Sequence, residues 1–281
     1  MDYVTPPEII SDAIALAKRK AGLGISDLLI RGVLAGVFLG YATSLAQIII
    51  SQGLTPLVGA ILFPVGFVML VLLGLELATG NFALLPPALL SGELSTGRLL
   101  RNWWWVYIGN LIGCVAYALL FYMAITNMGT SNGGALGDLV RQAAQKKTLA
   151  YAALGAKGWA SAFVKGMLCN WMVTLGAVLA LASRSTIGKI VAMWLPILTF
   201  FALGYEHSIV NMYVIPAGMM LGAPVSLKAW WLWNQVPVTL GNIVSGSLFT
   251  GVALYMTYAA KPACTVAQQI EMPARLEAVA Q

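Results

Sequence analysis

A glutamate and the only histidine of the 281-residue chain, Glu206 and His207, stand side by side in the largely apolar segment LGYEHSIVNMYVIP. Burial in an apolar medium disfavours a charged imidazole, whereas a nearby anion favours it. His207 is therefore predicted to couple its charge to the arrival of a small anion, with a hydrogen-bonded packing role as the alternative. Glu206 is predicted to be structural, accepting hydrogen bonds from backbone N–H groups where a helix is broken.

The composition places this pair in a membrane. Hydrophobic residues make up 59% of the chain and charged residues only 9%, whereas soluble domains carry about 25% charged residues. Six apolar stretches approach the roughly 20 residues that a helix needs to cross a bilayer. They cover residues 28–50, 57–77 with 84–90, 103–125, 159–182, 191–203 with 211–221, and 236–259. The second and the fifth are each predicted to be one helix broken by a short polar insertion.

The two insertions repeat each other. The segment LGLELATGNFALLP, residues 73–86, matches the segment around His207 at a constant offset of 130. The matched residues are Leu73, Gly74, Glu76, Asn81 and Pro86 with Leu203, Gly204, Glu206, Asn211 and Pro216. RGVLAG and GNLI of the first half also resemble KGMLCN and GNIV of the second. The chain is thus predicted to be two three-helix repeats, the second inverted, with a transport site near the membrane midplane where the insertions meet.

Other polar residues in the apolar stretches are candidates for the same pathway. The hydroxyl of Thr79 in the first insertion can donate a hydrogen bond to an anion or to water. For Asn170 and Asn242, pore lining and interhelical hydrogen bonding are equally consistent with an asparagine in an apolar helix. Asn81 and Asn211 are predicted to cap the second half of each broken helix, and Glu76 to share the structural role of its counterpart Glu206.

The chain is divided into three regions by these patterns. Residues 1–27 are predicted to form an amphipathic helix with a capping box at Thr5 and Glu8, lying on the cytoplasmic membrane surface or docked on the protein's own base. Residues 28–260 form the transmembrane domain, with repeats at about 28–126 and 159–260, and residues 261–281 a cytoplasmic tail. Ten of the 16 basic residues fall on the side of the termini, so both termini are predicted to be cytoplasmic. The same bias accounts for the net charge of +6 without a nucleic-acid partner.

Several motifs resemble the formate/nitrite transporter family along nearly the whole chain. They are GNFALLP, NWWWVYIGNLIG, KGMLCNWMV, PVTLGNIVSG and, most specifically, GYEHSIVNMYVIPAG. The resemblance implies an all-α, aquaporin-like protomer of six transmembrane helices, assembled in the cell membrane as a homopentamer with one pore in each protomer. It also implies transport of small monovalent anions or their conjugate acids: formate first, with nitrite, hydrosulfide, acetate or lactate as alternatives.

The resemblance assigns roles to particular side chains. The family's central histidine corresponds to His207 and its loop threonine to Thr79, and its two pore asparagines correspond to Asn170 and Asn242. Apolar constrictions are expected on either side of the histidine, from Phe63 and Phe67 on one side and Phe200 on the other.

Two positions depart from the family's pattern. Ala78 stands where an aromatic residue often precedes the loop threonine, which is expected to loosen the constriction or alter selectivity. A lysine that commonly precedes the LCN segment is replaced by Leu154, with Lys157 one turn later as a possible electrostatic lure.

The mechanism expected from the residues and the resemblance is weak-acid transport. A bare anion is strongly disfavoured in an apolar constriction, whereas a neutral weak acid is not. His207 is expected to donate a proton or a hydrogen bond to the anion before the constriction is passed. No catalytic reaction and no cofactor are predicted.

Two other classes share some of these features. A water or glycerol channel would have the same architecture, but the paired Asn-Pro-Ala signatures of aquaporins are absent. The membrane subunit of a redox enzyme would need two histidines to hold a bis-histidine haem, and the three cysteines do not form an iron–sulfur or metal pattern.

Overall fold

The computed structural model describes residues 2–259, so the predicted tail at 261–281 lies outside the described residues. The described part is built from ten helices. They are α1 (Pro6–Ala21), α2 (Ile25–Ser51), α3 (Pro56–Leu72), α4 (Ala78–Leu90), α5 (Thr96–Ile125), α6 (Gly134–Ala153), α7 (Ala156–Leu179), α8 (Thr186–Ala202), α9 (Ser208–Met220) and α10 (Leu227–Tyr258). Helices α2, α5, α7 and α10 are long and apolar enough to cross a membrane, and α3, α4, α8 and α9 are shorter apolar helices.

Two matching non-helical segments separate these shorter helices. Residues 73–77 lie between α3 and α4, and residues 203–207 lie between α8 and α9. Gly74 and Gly204 stop the preceding helices with φ values of +64° and +67°. Only glycine adopts this left-handed conformation without steric cost, so a glycine at each position fits the end of a helix. We call residues 73–77 the first gap and residues 203–207 the second gap.

Helix α1 is docked on the rest of the protein, which is the second of the two predicted placements. Its apolar face, including Ile9, Ala13 and Ala17, is buried in the main hydrophobic core. The predicted capping box is present, because the backbone N–H and the hydroxyl of Thr5 donate to Glu8 Oε2 at 2.9 and 2.7 Å. These bonds hold the pKa of the Glu8 carboxyl below its ordinary value.

Helix α6 lies between the two predicted repeats, at about 28–126 and 159–260. Its 20 residues include several Lys, Arg and Gln side chains, so it does not appear in a search for apolar stretches. Its buried residues, including Val140, Ala144 and Thr148, face the protein interior. Helix α6 packs against α9 as α1 packs against α4, so the similar contacts of the two halves include the helix that precedes each set of three apolar stretches.

The two five-helix halves, α1–α5 and α6–α10, make equivalent contacts. Helix α2 packs along α5, and α7 packs along α10 in the same way. Helix α4, after the first gap, contacts α7 and α10 of the other half, and α9 contacts α2 and α5. Each gap is thus enclosed by helices of both halves, which brings residues from the two gaps together.

Close helix contacts depend on glycines at equivalent positions, and one of them provides a test of the packing. A Cβ atom added to Gly241 would lie 2.2 Å from the backbone oxygen of Phe163. Gly241→Ala should therefore push α7 and α10 apart and destabilise the protein by about 1–3 kcal/mol. Thermal unfolding in detergent measures this effect. Gly97→Ala is the matched control, because nothing lies within 4 Å of its added Cβ; equal melting temperatures for the two variants would contradict the packing.

Candidate functional site

The first turn of α4, just after the first gap, meets the end of the second gap at a buried pair formed by Thr79 and His207. Thr79 Oγ1 lies 3.1 Å from His207 Nε2, and neither residue is more than 2% exposed. Thr79 belongs to the first turn of α4, and His207 is the N-cap residue of α9. In the sequence these residues lie 128 positions apart, in separate predicted repeats. They come into contact because α4 packs against the second half and α9 packs against the first.

The hydrogen bonds of His207 determine which nitrogen carries the proton. The backbone N–H of Val210 donates to Nδ1 at 3.1 Å. In a neutral imidazole one nitrogen accepts and the other donates, so Nε2 carries the hydrogen and donates to Thr79 Oγ1. The hydroxyl hydrogen of Thr79 then has no acceptor among residues 2–259.

Asn170 contributes an unpaired acceptor beside this pair. Its Nδ2 donates to the backbone oxygens of Thr79 at 3.1 Å and of Asn242 at 2.7 Å. These two acceptors fix the orientation of the amide. The Oδ1 atom of Asn170 is buried and has no partner within the described part of the chain. The region around Thr79 thus offers one free donor and one free acceptor.

Asn242 is an interhelical hydrogen-bonding residue, which was one of its two predicted roles. Its Nδ2 donates to the backbone oxygens of Gly166 and Glu206, and its Oδ1 accepts from the backbone N–H of Ser208 at 2.9 Å. Asn110 makes the equivalent three bonds to Gly32, Glu76 and Ala78 in the first half. These two asparagines therefore satisfy the backbone groups that each gap leaves unpaired.

Each gap glutamate forms a buried ion pair with a lysine from the first helix of its own half. Lys20 Nζ lies 2.8 Å from Glu76 Oε1, and Lys147 Nζ lies 2.8 Å from Glu206 Oε2. Tyr151 also donates to Glu206 at 2.9 Å. The prediction that the glutamates accept from backbone N–H groups is wrong, because asparagines serve the backbone and a buried carboxylate requires a cation.

Asn81 and Asn211 support these ion pairs and do not cap helices. The N-cap residues are Leu77 and His207, so the predicted cap role is wrong. Each asparagine lies inside the first turn, where its Nδ2 donates to the glutamate of its gap at 2.7 or 2.8 Å. The same Nδ2 atoms donate to Oδ1 of two asparagines that sequence analysis missed, Asn102 in α5 and Asn234 in α10.

The phenylalanines form a different grouping from the expected one. The rings of Phe63 and Phe200 contact each other edge to face, with centroids 5.6 Å apart, so they lie on the same side of the site. The ring of Phe200 also lies 5.7 Å from that of His207. Phe67 instead lines a cavity next to α1. The cause is the packing of α8 along α3, which brings Phe200 beside Phe63.

The cavity next to α1 combines basic and apolar lining. Its volume is about 290 Å³, and its cationic residues are Arg19, Lys20 and Lys189. Phe67 and Leu77 line its apolar part, and Leu77 is the repeat counterpart of His207. Lys157, the lure considered from the sequence, is exposed in the first turn of α7.

Metal-ligating groups are sparse in the described part of the chain. Among residues 2–259, no group of three or more His, Cys, Asp or Glu side chains is arranged to hold a metal ion. Cys114 and Cys169 are buried and free, and Cys264 lies outside the described residues.

Apolar helices of membrane-crossing length, enclosing a buried polar site, define a multi-pass membrane protein. A sequence model of the formate/nitrite transporter family matches residues 7–256, and the chain belongs to that family, whose members are transporters and channels. A probable formate transporter of Methanothermobacter thermautotrophicus is 37% identical over 88% of this chain and 93% of its own length.

Solved structures agree with this assignment. A structure titled "FNT family ion channel" superimposes with a TM-score of 0.77 at 28% identity, covering 89% of this chain and 98% of that one. A pentameric formate channel with formate bound has a TM-score of 0.68 at 28% identity, covering 83% and 97%. The family resemblance and the all-helical fold inferred from the sequence are confirmed.

Proposed function

We propose that this protein provides a passive path across the cell membrane for small monovalent anions and their conjugate weak acids, with formate as the main substrate. In this proposal α3 with α4 and α8 with α9 each form one interrupted crossing, which gives six crossings. The two halves are inverted repeats of an aquaporin-like protomer, and both termini are cytoplasmic. The equivalent contacts of the halves support the repeats, and the distribution of basic residues supports the orientation. The pentameric relative supports a homopentamer surrounded by lipid.

The observation that carries the proposal is the buried contact of Thr79 with His207 between the two gaps. An unpaired polar group that faces hydrocarbon costs several kcal/mol, so irregular backbone at membrane depth occurs where it lines a cavity or is covered by protein. The free hydroxyl hydrogen of Thr79 and the unpaired Oδ1 of Asn170 fit a position on a path for polar solutes.

Entry from the α1 side begins in the basic cavity. Arg19 and Lys189 raise the local concentration of anions there, whereas the charge of Lys20 is offset by Glu76. Beyond them, Phe67 and Leu77 form an apolar passage in which a bare anion loses its hydration without compensation. The neutral acid loses much less, so proton uptake by the anion favours passage. On the other side of His207, Phe63 and Phe200 form a second apolar passage.

Within the site, His207 acts through Thr79 as a hydrogen-bond donor. The chain of bonds runs from Nε2–H of His207 to Oγ1 of Thr79 and from the hydroxyl hydrogen of Thr79 to an oxygen of the solute, so each bond polarises the next. The unpaired Oδ1 of Asn170 accepts a hydrogen bond from the O–H group of the neutral acid. Of the two roles predicted for His207, hydrogen bonding fits better than proton donation. A proton on Nδ1 would face the N–H of Val210, leaving two donors in contact.

Flux measurements in proteoliposomes test this proposal. Formate, nitrite, hydrosulfide, acetate, lactate and glycerol are compared over a range of external pH with the wild type, His207→Ala and His207→Asn. Formate flux should be large and should rise as the pH falls, because the fraction of neutral acid rises. His207→Ala should lose roughly tenfold or more, since it removes the donor to buried Thr79. His207→Asn should retain more flux, because its amide can accept from Val210 and donate towards Thr79.

Two results would contradict the proposal. Unchanged formate flux and pH dependence in His207→Ala would remove the Thr79–His207 pair from the pathway. Glycerol flux without flux of any of the anions would identify a channel for neutral solutes.

A further inference from the structure

A groove on the outside of the helix bundle, between α5 and α10, has no part in the proposed pathway. Its volume is about 440 Å³, within the range of small-molecule sites. We call it the lateral groove. Its apolar walls include Leu100, Trp103, Trp104, Trp231, Val236 and Leu240. None of the described residues that line it is charged.

The floor of the lateral groove is polar. Gln235, which is fully buried, donates from Nε2 to the hydroxyl oxygen of Tyr107 at 2.7 Å, and that oxygen lies 2.9 Å from Thr239 Oγ1. Gln235 Oε1 accepts from the indole of Trp230. The two hydroxyls share one hydrogen between them, so the second hydroxyl hydrogen has no acceptor in the described part of the chain. This hydrogen is a donor for a ligand.

The floor lies deep in the apolar layer. Tyr107 and Thr239 are roughly 16–18 Å along their helices from Thr96 and Leu227, at a rise of 1.5 Å per residue. In the proposed topology α5 and α10 begin on opposite sides of the bilayer, whose hydrocarbon core is about 30 Å thick. A hydroxyl at about the same distance from both helix starts therefore lies near the middle of that core. The rim residues Trp104 and Leu240 are 61% and 43% exposed on the outside of the bundle, so a ligand would enter from the lipid side.

The distribution of polarity in the groove identifies the kind of occupant. The lateral groove has an apolar rim and polar groups at its deepest point. This arrangement fits a small molecule that enters with its polar end first and keeps an apolar chain between the tryptophans.

We propose that the lateral groove binds an uncharged single-chain amphiphile from the lipid phase. A hydroxyl or carbonyl oxygen of the ligand accepts a hydrogen bond from the hydroxyl pair of Tyr107 and Thr239, and its aliphatic chain lies against Trp103, Trp104 and Trp231. The absence of charge among the lining residues excludes an ionised head group, because a buried ion would lack a counterion.

The groove contacts both segments that form the proposed site. The indole of Trp103, one of its walls, donates to the backbone oxygen of Asn81 at 3.1 Å. Gln235 Nε2 lies 3.4 Å from the backbone oxygen of Ser208, the residue after His207. An occupant that moves Trp103 or Gln235 therefore alters formate flux. This second part rests on the proposed function, whereas binding itself does not.

Binding is measured by quenching of tryptophan fluorescence in lipid nanodiscs with 11-bromo-1-undecanol, and 1-bromoundecane serves as the probe without an acceptor oxygen. Three of the nine tryptophans line the groove, so quenching by the alcohol should saturate at partial loss of emission. The double variant Tyr107→Phe with Thr239→Val, which removes both hydroxyls of the pair, should weaken the apparent affinity roughly tenfold, since the hydrogen bond to the ligand is lost. Thr257→Val is the matched control on the same helix, because its hydroxyl bonds to Ala253 and lies away from the groove. It should bind like the wild type.

Three outcomes would overturn the binding site. Quenching that rises linearly with either probe and is equal in all variants would mean partition into lipid only. Equal affinities of the alcohol and the bromoalkane would exclude the polar floor. Saturable quenching only after dissociation of the oligomer would mean that a second copy of the chain covers the groove.

Flux with saturating alcohol tests the second part. Formate flux of the wild type should change, and that of Leu240→Trp, which fills the groove, should not. A change of equal size in both would refute the coupling. A complete absence of formate flux would contradict the proposed function. The quenching measurement would still test whether the lateral groove binds the alcohol.

Discussion

Replacing Lys147 with methionine should lower formate flux by at least 100-fold and destabilise the protein. Lys147 is the only cation within 4 Å of the Glu206 carboxylate in the described residues, and Glu206 is 4% exposed. Removing one partner of a buried ion pair costs about 3–5 kcal/mol, because the other charge is left unpaired. The unpaired charge therefore destabilises the second gap, and this segment positions His207 beside Thr79. Methionine keeps most of the apolar stem of lysine, so the loss reports charge and not packing.

The flux assay and thermal unfolding in detergent measure this effect, with Lys146→Met as the matched control. Lys146 is the exposed neighbour and forms no ion pair in the described residues, so its replacement should change neither quantity. The double variant Lys147→Met with Glu206→Gln should recover much of the stability. It removes the unpaired charge and keeps an amide that can bond to Tyr151 and Asn211. If Lys147→Met is as active and stable as Lys146→Met, the ion pair does not support the second gap.

The sequence was informative about the residues inside the membrane. The constant offset of 130 between two polar insertions singled out Glu76 and Glu206, and the polar side chains of Thr79 and His207 within those insertions marked them as candidates. Thr79 and His207 do lie in contact. Clusters of polar residues are rare in an apolar chain, and the two clusters around Glu76 and Glu206 coincide with the two gaps. The family motifs then supplied an all-helical channel fold, and the comparisons confirm the family and its all-helical fold.

The cations of the site were missed because they lie outside the apolar stretches. Lys20 and Lys147 belong to amphipathic helices, and they are 56 and 59 residues from their glutamates. No local pattern reports such a contact. A signal was present for Asn102 and Asn234, because their offset of 132 equals that of the matched GNLI and GNIV segments.

The sequence also could not predict which phenylalanine side chains from different helices lie together. Phe63 and Phe67 are one turn apart, and a helix pattern alone places them on one face. Only the packing of α8 along α3 separates them, with Phe63 against Phe200 and Phe67 at the cavity next to α1. The cap role predicted for Asn81 and Asn211 is wrong for a related reason. The first backbone N–H groups of α4 and α9, of Ala78 and Ser208, donate to asparagines of α5 and α10.

Thr79→Val should reduce formate flux by roughly 10- to 100-fold while leaving the fold intact. Valine has nearly the shape of threonine, so the change removes only the hydroxyl. The Nε2–H of His207 then has no acceptor at a fully buried position, which costs about 1–3 kcal/mol. The solute also loses the donor that faces it. Thr79→Ser keeps the hydroxyl and should retain most of the flux.

The pH dependence of formate flux in Thr79→Val shows whether the Thr79 hydroxyl acts on the neutral acid or only on the anion. Neutral acid remains the permeating species in Thr79→Val, so its residual flux should still rise as the pH falls. The fold loss should be of similar size at every pH, because the lost hydrogen bond concerns the solute in the site and not its titration in water. Thr79→Val with wild-type flux would show that the Thr79–His207 contact is a packing feature. A loss confined to high pH would instead mean that Thr79 acts only on the anion, and that His207 supplies the proton after all.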